Sequence, residues 1–176
     1  MKFVALLATA VVCLGATNDL SGRRAPGFSL PDSNFKRYDL QDYRGRWLLI
    51  EFMITNCPHC KELSHALEAA KEKFGDKIAI LSVVIAPPET QETVAKYIEE
   101  NKVTVPILFD QGQMAASYFN ATPAKPTFDT PHLFVVDPKG AIVRDFGHSD
   151  SDESAHALFE PAGLIKELES LFKGRK

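Results

Sequence analysis

Apolar residues along this chain fall into blocks with two different periods. Residues 47–54, Trp-Leu-Leu-Ile-Glu-Phe-Met-Ile, form a nearly unbroken apolar run of strand length, as a strand covered on both faces requires. One charged residue, Glu51, interrupts it. From Pro58 to Phe74 the positions Leu63, Ala66, Leu67, Ala70 and Phe74 recur at helical spacing, and Gly75 follows as a stop. Residues 78–85 read as a second buried strand, 90–101 as a helix with Val94, Tyr97 and Ile98 inward, and 105–109 as a third strand. This alternation of strand and helix implies right-handed crossovers and a largely parallel central sheet. A short helix near 113–119 leads into a loop punctuated by Pro123, Pro126 and Pro131. Residues 132–136 and 141–146 then read as strands joined by Asp137-Pro138-Lys139-Gly140, an antiparallel hairpin. A last helix from about Pro161 presents Leu164, Ile165, Leu168, Leu171 and Phe172 on one side. Ahead of the first long strand, residues 25–30 and 38–40 flank 31–34 as an N-terminal hairpin.

One apolar run does not fit this scheme. Met1 and Lys2 precede residues 3–14, which carry no charge, and the run is too short to span a bilayer but suits the core of a signal peptide. Residues 1–16 are therefore expected to be a signal peptide, with cleavage after Gly15 or Ala16, leaving 17–176 as one domain. Cys13 raises lipid anchoring to a membrane, although Val12 is bulky where a small residue is expected. Export to the periplasm or another extracytoplasmic space follows from this reading.

Composition narrows the function. The 176 residues are 45% hydrophobic and 24% charged, which is ordinary for a globular domain and needs no covalent staples. With 20 Lys and Arg against 23 Asp and Glu, the net charge of −3 provides no field for nucleic acid. A monomer is expected.

Beyond the leader only Cys57 and Cys60 remain, and two cysteines separated by two residues form no disulfide framework. Chemistry is the better explanation. The spacing places Cys57 at the start of the helix, where free backbone N–H groups and the helix dipole favour an anion, with Pro58 at the first helical position. A thiolate there can attack a disulfide, and Cys60, one turn in and more buried, can resolve the mixed disulfide. His59 stands between them, able to donate a hydrogen bond or a positive charge to the thiolate. That would stabilise the reduced pair and make the disulfide more oxidising. Glu51, in an apolar strand, should hold its proton more tightly than an exposed carboxyl and could relay it to or from Cys60, or else find a basic partner at the sheet end.

These parts in this order resemble the thioredoxin fold, an α/β fold with a central mixed sheet flanked by helices, and within it the TlpA/ResA-like exported thiol-disulfide oxidoreductases. The resemblance rests on Asp42-Tyr43-Arg44-Gly45-Arg46-Trp47, on the strand ending in Cys57-Pro58-His59-Cys60, on the extra strand and helix before Pro106-Ile107-Leu108-Phe109-Asp110, and on Thr130-Pro131-His132-Leu133-Phe134. It implies that Glu51 occupies the place of the buried acid beneath the redox pair. It further implies that Thr130-Pro131 is the cis-proline pair that receives an extended substrate segment, with Pro126 as the lesser candidate. Two positions depart from the pattern: Asn56 replaces the aromatic residue before the first cysteine, and Leu63 replaces a carboxylate, with Glu62 one place early. The Pro-His dipeptide is similar to that of the periplasmic disulfide oxidase of the DsbA type and points to an oxidant, whereas the family points to a reductant.

The implied substrates are protein thiols and disulfides, recharged by a membrane or periplasmic redox partner, with no organic cofactor beyond the Cys57-Cys60 disulfide. The alternative is a Sco-like copper chaperone holding Cu(I) through Cys57, Cys60 and His132. Its cysteine spacing counts against it. A peroxiredoxin pattern fails because Ile54 and Ile50 stand where Thr and Pro are needed. His65, His148 and His156 are read as solvated surface.

Overall fold

The computed structural model of the protein describes residues 21–122, 129–148 and 156–174. The expected signal peptide, Cys13, Pro123 and Pro126 lie outside them. The N-terminal hairpin pairs β1 (Ser29–Pro31) with β2 (Arg37–Asp39) in antiparallel register. Asp32 closes its turn by accepting the N–H groups of Asn34 and Lys36 on one carboxylate oxygen.

The apolar run becomes β3 (Trp47–Phe52), buried at all six positions. It is followed by α1 (Pro58–Phe74), β4 (Ile78–Ile85), α2 (Gln91–Asn101), β5 (Ile107–Asp110), α3 (Gln113–Tyr118), β6 (His132–Val136), β7 (Ile142–Gly147) and α4 (Pro161–Gly174). Helix α1 stops at Gly75, whose φ of +50° is one that a side chain disfavours. Helix α2 starts at a capping box in which the Thr90 and Thr93 hydroxyls each accept the other's backbone N–H.

The five long strands form one sheet in the order β5-β4-β3-β6-β7, so the most apolar strand lies at its centre. Strands β3, β4 and β5 run parallel, but β6 is antiparallel to β3 and β7 to β6. The sheet is mixed, as the thioredoxin-fold resemblance implies, and the antiparallel pairing of β6 with β7 matches the expected hairpin; the largely parallel sheet suggested by the strand-helix alternation holds for β3, β4 and β5. Periodicity reports that a helix separates two strands, not which end of the sheet the next strand enters.

Alternation along β3 divides the core. Trp47, Leu49 and Met53 pack with Leu63 and Leu67 of α1 and with Leu164 and Leu168 of α4. Leu48, Ile50 and Phe52 face the other way, against Met114, Tyr118 and Phe134. Glu51 shares the first face and is completely buried there. No helix among the described residues is long and apolar enough to cross a membrane.

Candidate active site

β3 delivers the chain to the site. After Phe52 it leaves the sheet, and Glu89 takes hold of the approach: its carboxylate accepts the Thr55 N–H and the Thr55 hydroxyl, each at 2.8 Å, and the Thr93 hydroxyl at 2.6 Å. Two residues later Cys57 caps α1 with extended backbone, and its Sγ accepts the Cys60 N–H at 3.2 Å. Pro58 occupies the first helical turn, where its missing N–H removes no intrahelical bond. Cys57 is partly exposed and Cys60 fully buried, both as free thiols. Burial pushes the Cys60 thiol far up, helped by its hydrogen bond with Cys57 and by the Glu51 charge. The pair is thus asymmetric, with one accessible sulfur at a helix start and one sheltered sulfur a turn below.

Glu51 finds hydroxyls rather than a basic partner. The Ser82 hydroxyl, opposite it in the parallel register, donates to Oε2 at 2.6 Å, and Ser64 of α1 makes a longer contact at 3.4 Å. The Tyr97 hydroxyl in turn donates to Ser64 Oγ at 2.9 Å. Loss of hydration raises the Glu51 pKa to about 7 against the opposing effect of the two serines. The sequence places Tyr97 inward on its helix but assigns no site role to Ser64, Ser82 or Tyr97. Ser82, a polar residue inside a buried strand, was the available signal.

His59 lies at the surface of the site. Its Nδ1 faces Glu62 Oε2 at 3.1 Å, so the carboxylate one place early acquires a partner. Its ring stacks on His148 with centroids 4.0 Å apart and planes 25° from parallel, and the His156 ring meets His148 edge-on at 5.1 Å. The expectation that His148 is bland surface is therefore corrected, because the end of β7 brings it onto the CxxC helix. Partial burial and the charges of His59 and His156 lower its pKa. His65 is exposed, as expected.

The Thr130–Pro131 bond is cis, and Pro131 directly precedes β6, whose His132 pairs with Phe52 at the end of β3. The His148 N–H donates to the Pro131 carbonyl at 3.1 Å, so the residue stacked on His59 also holds this segment. His132 is nearly buried, with Nδ1 against Asp129 and Nε2 against Asp145. Burial by itself would lower its pKa, but the hydrogen bonds and charges of the two carboxylates prevail and raise it. Among the described residues no group of three His, Cys, Asp or Glu side chains converges as a metal site would require.

A dithiol opening a helix at the end of a central strand, over a buried carboxyl and with a cis proline leading into the neighbouring strand, defines the thioredoxin-fold class of thiol-disulfide oxidoreductases. The chain belongs to the AhpC/TSA family, whose model matches residues 21–145. It is similar to the thioredoxin-like protein YneN of Bacillus subtilis, 30% identical over 69% of this chain and 68% of that protein. It is also similar to the thiol-disulfide oxidoreductase ResA of the same organism, 25% identical over 76% of this chain and 70% of that protein. Among solved structures, the thioredoxin domain of a thiol-disulfide oxidoreductase from Bacteroides vulgatus superposes with a TM-score of 0.66 at 22% identity, covering 86% of this chain and 96% of that one. A thiol:disulfide interchange protein from Bacteroides sp. gives 0.67 at 23% identity, covering 91% and 95%.

Proposed function

We propose that the protein exchanges its Cys57-Cys60 dithiol for a disulfide in a partner polypeptide through a mixed disulfide. The Cys57 thiolate attacks one sulfur of the partner; the partner's S–S bond breaks, and its other sulfur departs as a thiolate that takes up a proton. The Cys60 thiol then gives its proton to ionised Glu51 and attacks Cys57 Sγ, breaking the mixed disulfide and releasing the second partner thiolate. The partner gains two electrons and the protein becomes the Cys57-Cys60 disulfide; the reverse sequence oxidises a dithiol. No organic cofactor is needed.

The observation that carries this reading is the contrast between Cys57, partly exposed and hydrogen-bonded at the helix start, and Cys60, wholly buried. Limited treatment of the reduced protein with iodoacetamide, read by peptide mass spectrometry, should label Cys57 almost exclusively. Equal labelling of the two thiols would sink the assignment. In this reading Thr130 and Pro131 receive the partner strand; what supports it is that the His148 N–H donates to the Pro131 carbonyl while the His148 ring stacks on His59 of the CxxC turn.

The direction of exchange depends on the partner that recharges the pair, while the poise depends on neighbours such as His59. His59→Ala removes the imidazole two residues after Cys57 in the first turn of α1 and should move the reduction potential, measured in glutathione buffers, towards more reducing values. An unchanged potential would leave the helix start alone in control. Residues 1–16 support secretion, and protein substrates with a membrane or periplasmic redox partner follow from it. The copper reading is disfavoured because both nitrogens of its third ligand, His132, are already engaged by carboxylates.

A further inference from the structure

The segment 129–132 carries Thr130 and Pro131 between two ionisable side chains, and both are drawn to the same place. His132 Nδ1 lies 3.2 Å from Asp129 Oδ1, and Nε2 bonds Asp145 Oδ1 across the β6–β7 pairing. The side chains of His132 and Asp145 are only 11% and 5% exposed. Phe119 and Phe134 close over the imidazole with ring centroids at 4.7 Å each. Gly147 pairs with His132 in the sheet, and a Cβ there would lie 2.6 Å from His132 Nδ1 and inside contact distance of Asp129 Oδ2. Its backbone is not in the positive-φ region, so the need for glycine here is a need for space. The next residue, His148, donates its N–H to the Pro131 carbonyl.

We propose that Asp129, His132 and Asp145, packed against Gly147, form a clamp that fixes Thr130–Pro131 in the position that receives a partner polypeptide beside Cys57. The three are positioning residues for substrate binding. Both imidazole nitrogens are committed to carboxylates, and the ring is too buried to touch a reacting sulfur. A buried ionic cluster is a weak source of net stability but a strong source of geometry, since its directed bonds are satisfied in one arrangement and costly to leave unmade. Its members flank the docking pair at both ends, which makes the placement of those two residues what the cluster controls. The inference rests on the exchange reading above.

Two kinds of substrate separate the possibilities: a folded protein disulfide such as insulin, which needs the docking segment, and 5,5′-dithiobis(2-nitrobenzoate), which needs only an accessible Cys57 thiolate. Gly147→Ala intrudes on the clamp without touching the cysteines. Asp145→Asn keeps the side-chain shape and removes one charge, which leaves a test if the alanine variant folds poorly. For each variant that melts cooperatively, KM for insulin should rise about tenfold, while kcat and the rate with the small disulfide stay within about twofold of the wild type. An unchanged KM, or equal losses on both substrates, would overturn the clamp. A wild-type protein inert towards both disulfides would overturn the exchange reading and the clamp with it, whereas a wild type active on both whose variants match it overturns the clamp alone.

Discussion

Cys57→Ser should reduce disulfide exchange to the uncatalysed background, whereas Cys60→Ser should complete the first attack and stop there. The two sulfurs lie one helical turn apart, yet their environments separate their roles. Cys57 caps α1, is reachable from solvent and accepts the Cys60 N–H, while Cys60 is buried and its thiol is held strongly protonated. Serine at position 57 removes the one solvent-reachable thiol among the described residues, and an alkoxide is far too basic to replace it near neutral pH. Serine at position 60 leaves that attack intact and removes the group that breaks the mixed disulfide. Incubated with a disulfide-containing protein, the Cys60→Ser variant should therefore accumulate a covalent adduct of one partner per chain. Non-reducing electrophoresis displays it, and a thiol dissolves it. An adduct that forms instead with Cys57→Ser, and not with Cys60→Ser, would invert the assignment.

Glu51→Gln should leave the first attack nearly unchanged and slow the second. For Cys60 to attack, its proton must go to a neighbour, and Glu51 is the buried group whose charge acts on that thiol. The same charge disfavours a free Cys60 thiolate, so transfer has to accompany attack rather than precede it. In the wild type, release of the partner from a preformed mixed disulfide should accelerate as pH rises through about 7, where Glu51 ionises. Glutamine cannot accept the proton, so the inflection should vanish and release above pH 7 should fall by about a hundredfold. Stability supplies an independent reading. The folded state holds the Glu51 proton more tightly than the unfolded chain, so the stabilising contribution is complete below about 4.5 and is lost as pH climbs to about 7. That difference amounts to about 3 kcal/mol. Denaturant melts of the reduced wild type should therefore weaken across this interval, and those of Glu51→Gln should be flatter. Matching pH profiles for the two proteins, in release and in stability, would remove Glu51 from the mechanism.

Much of this architecture is legible in the sequence. The boundaries of α1, β4 and β6 coincide with those read from periodicity, because each is bounded by an abrupt local signal: Pro58 and Gly75 around the helix, Pro131 before β6. The cysteines and Glu51 stood out for a related reason, each being a reactive or charged type in an apolar setting where packing alone would not place it. What surrounds them was not legible. The Tyr97 hydroxyl reaches Ser64 across 33 residues of chain, and Ser82 reaches Glu51 across 31, through a strand register that periodicity leaves open. The histidines show the same limit. His148 reads as surface because its sequence neighbours are polar, yet the end of β7 sets it on His59. His132 serves as a metal ligand only in the alternative copper reading, which stays open in the sequence because neither Asp129 nor Asp145 can be assigned to it from spacing.

The sequence by itself determined the elements, their order, the buried central strand and the pair of thiols at a helix start, since all of these follow from side-chain period, capping and covalent proximity. Only the tertiary structure decided that Glu51 is served by hydroxyls and not by a cation, and that His132 is enclosed between two carboxylates while His148 is stacked at the site. These outcomes depend on how strands enter and register in the sheet. That choice is made by the summed burial of both faces of the core and leaves no periodic mark on the residues it brings together.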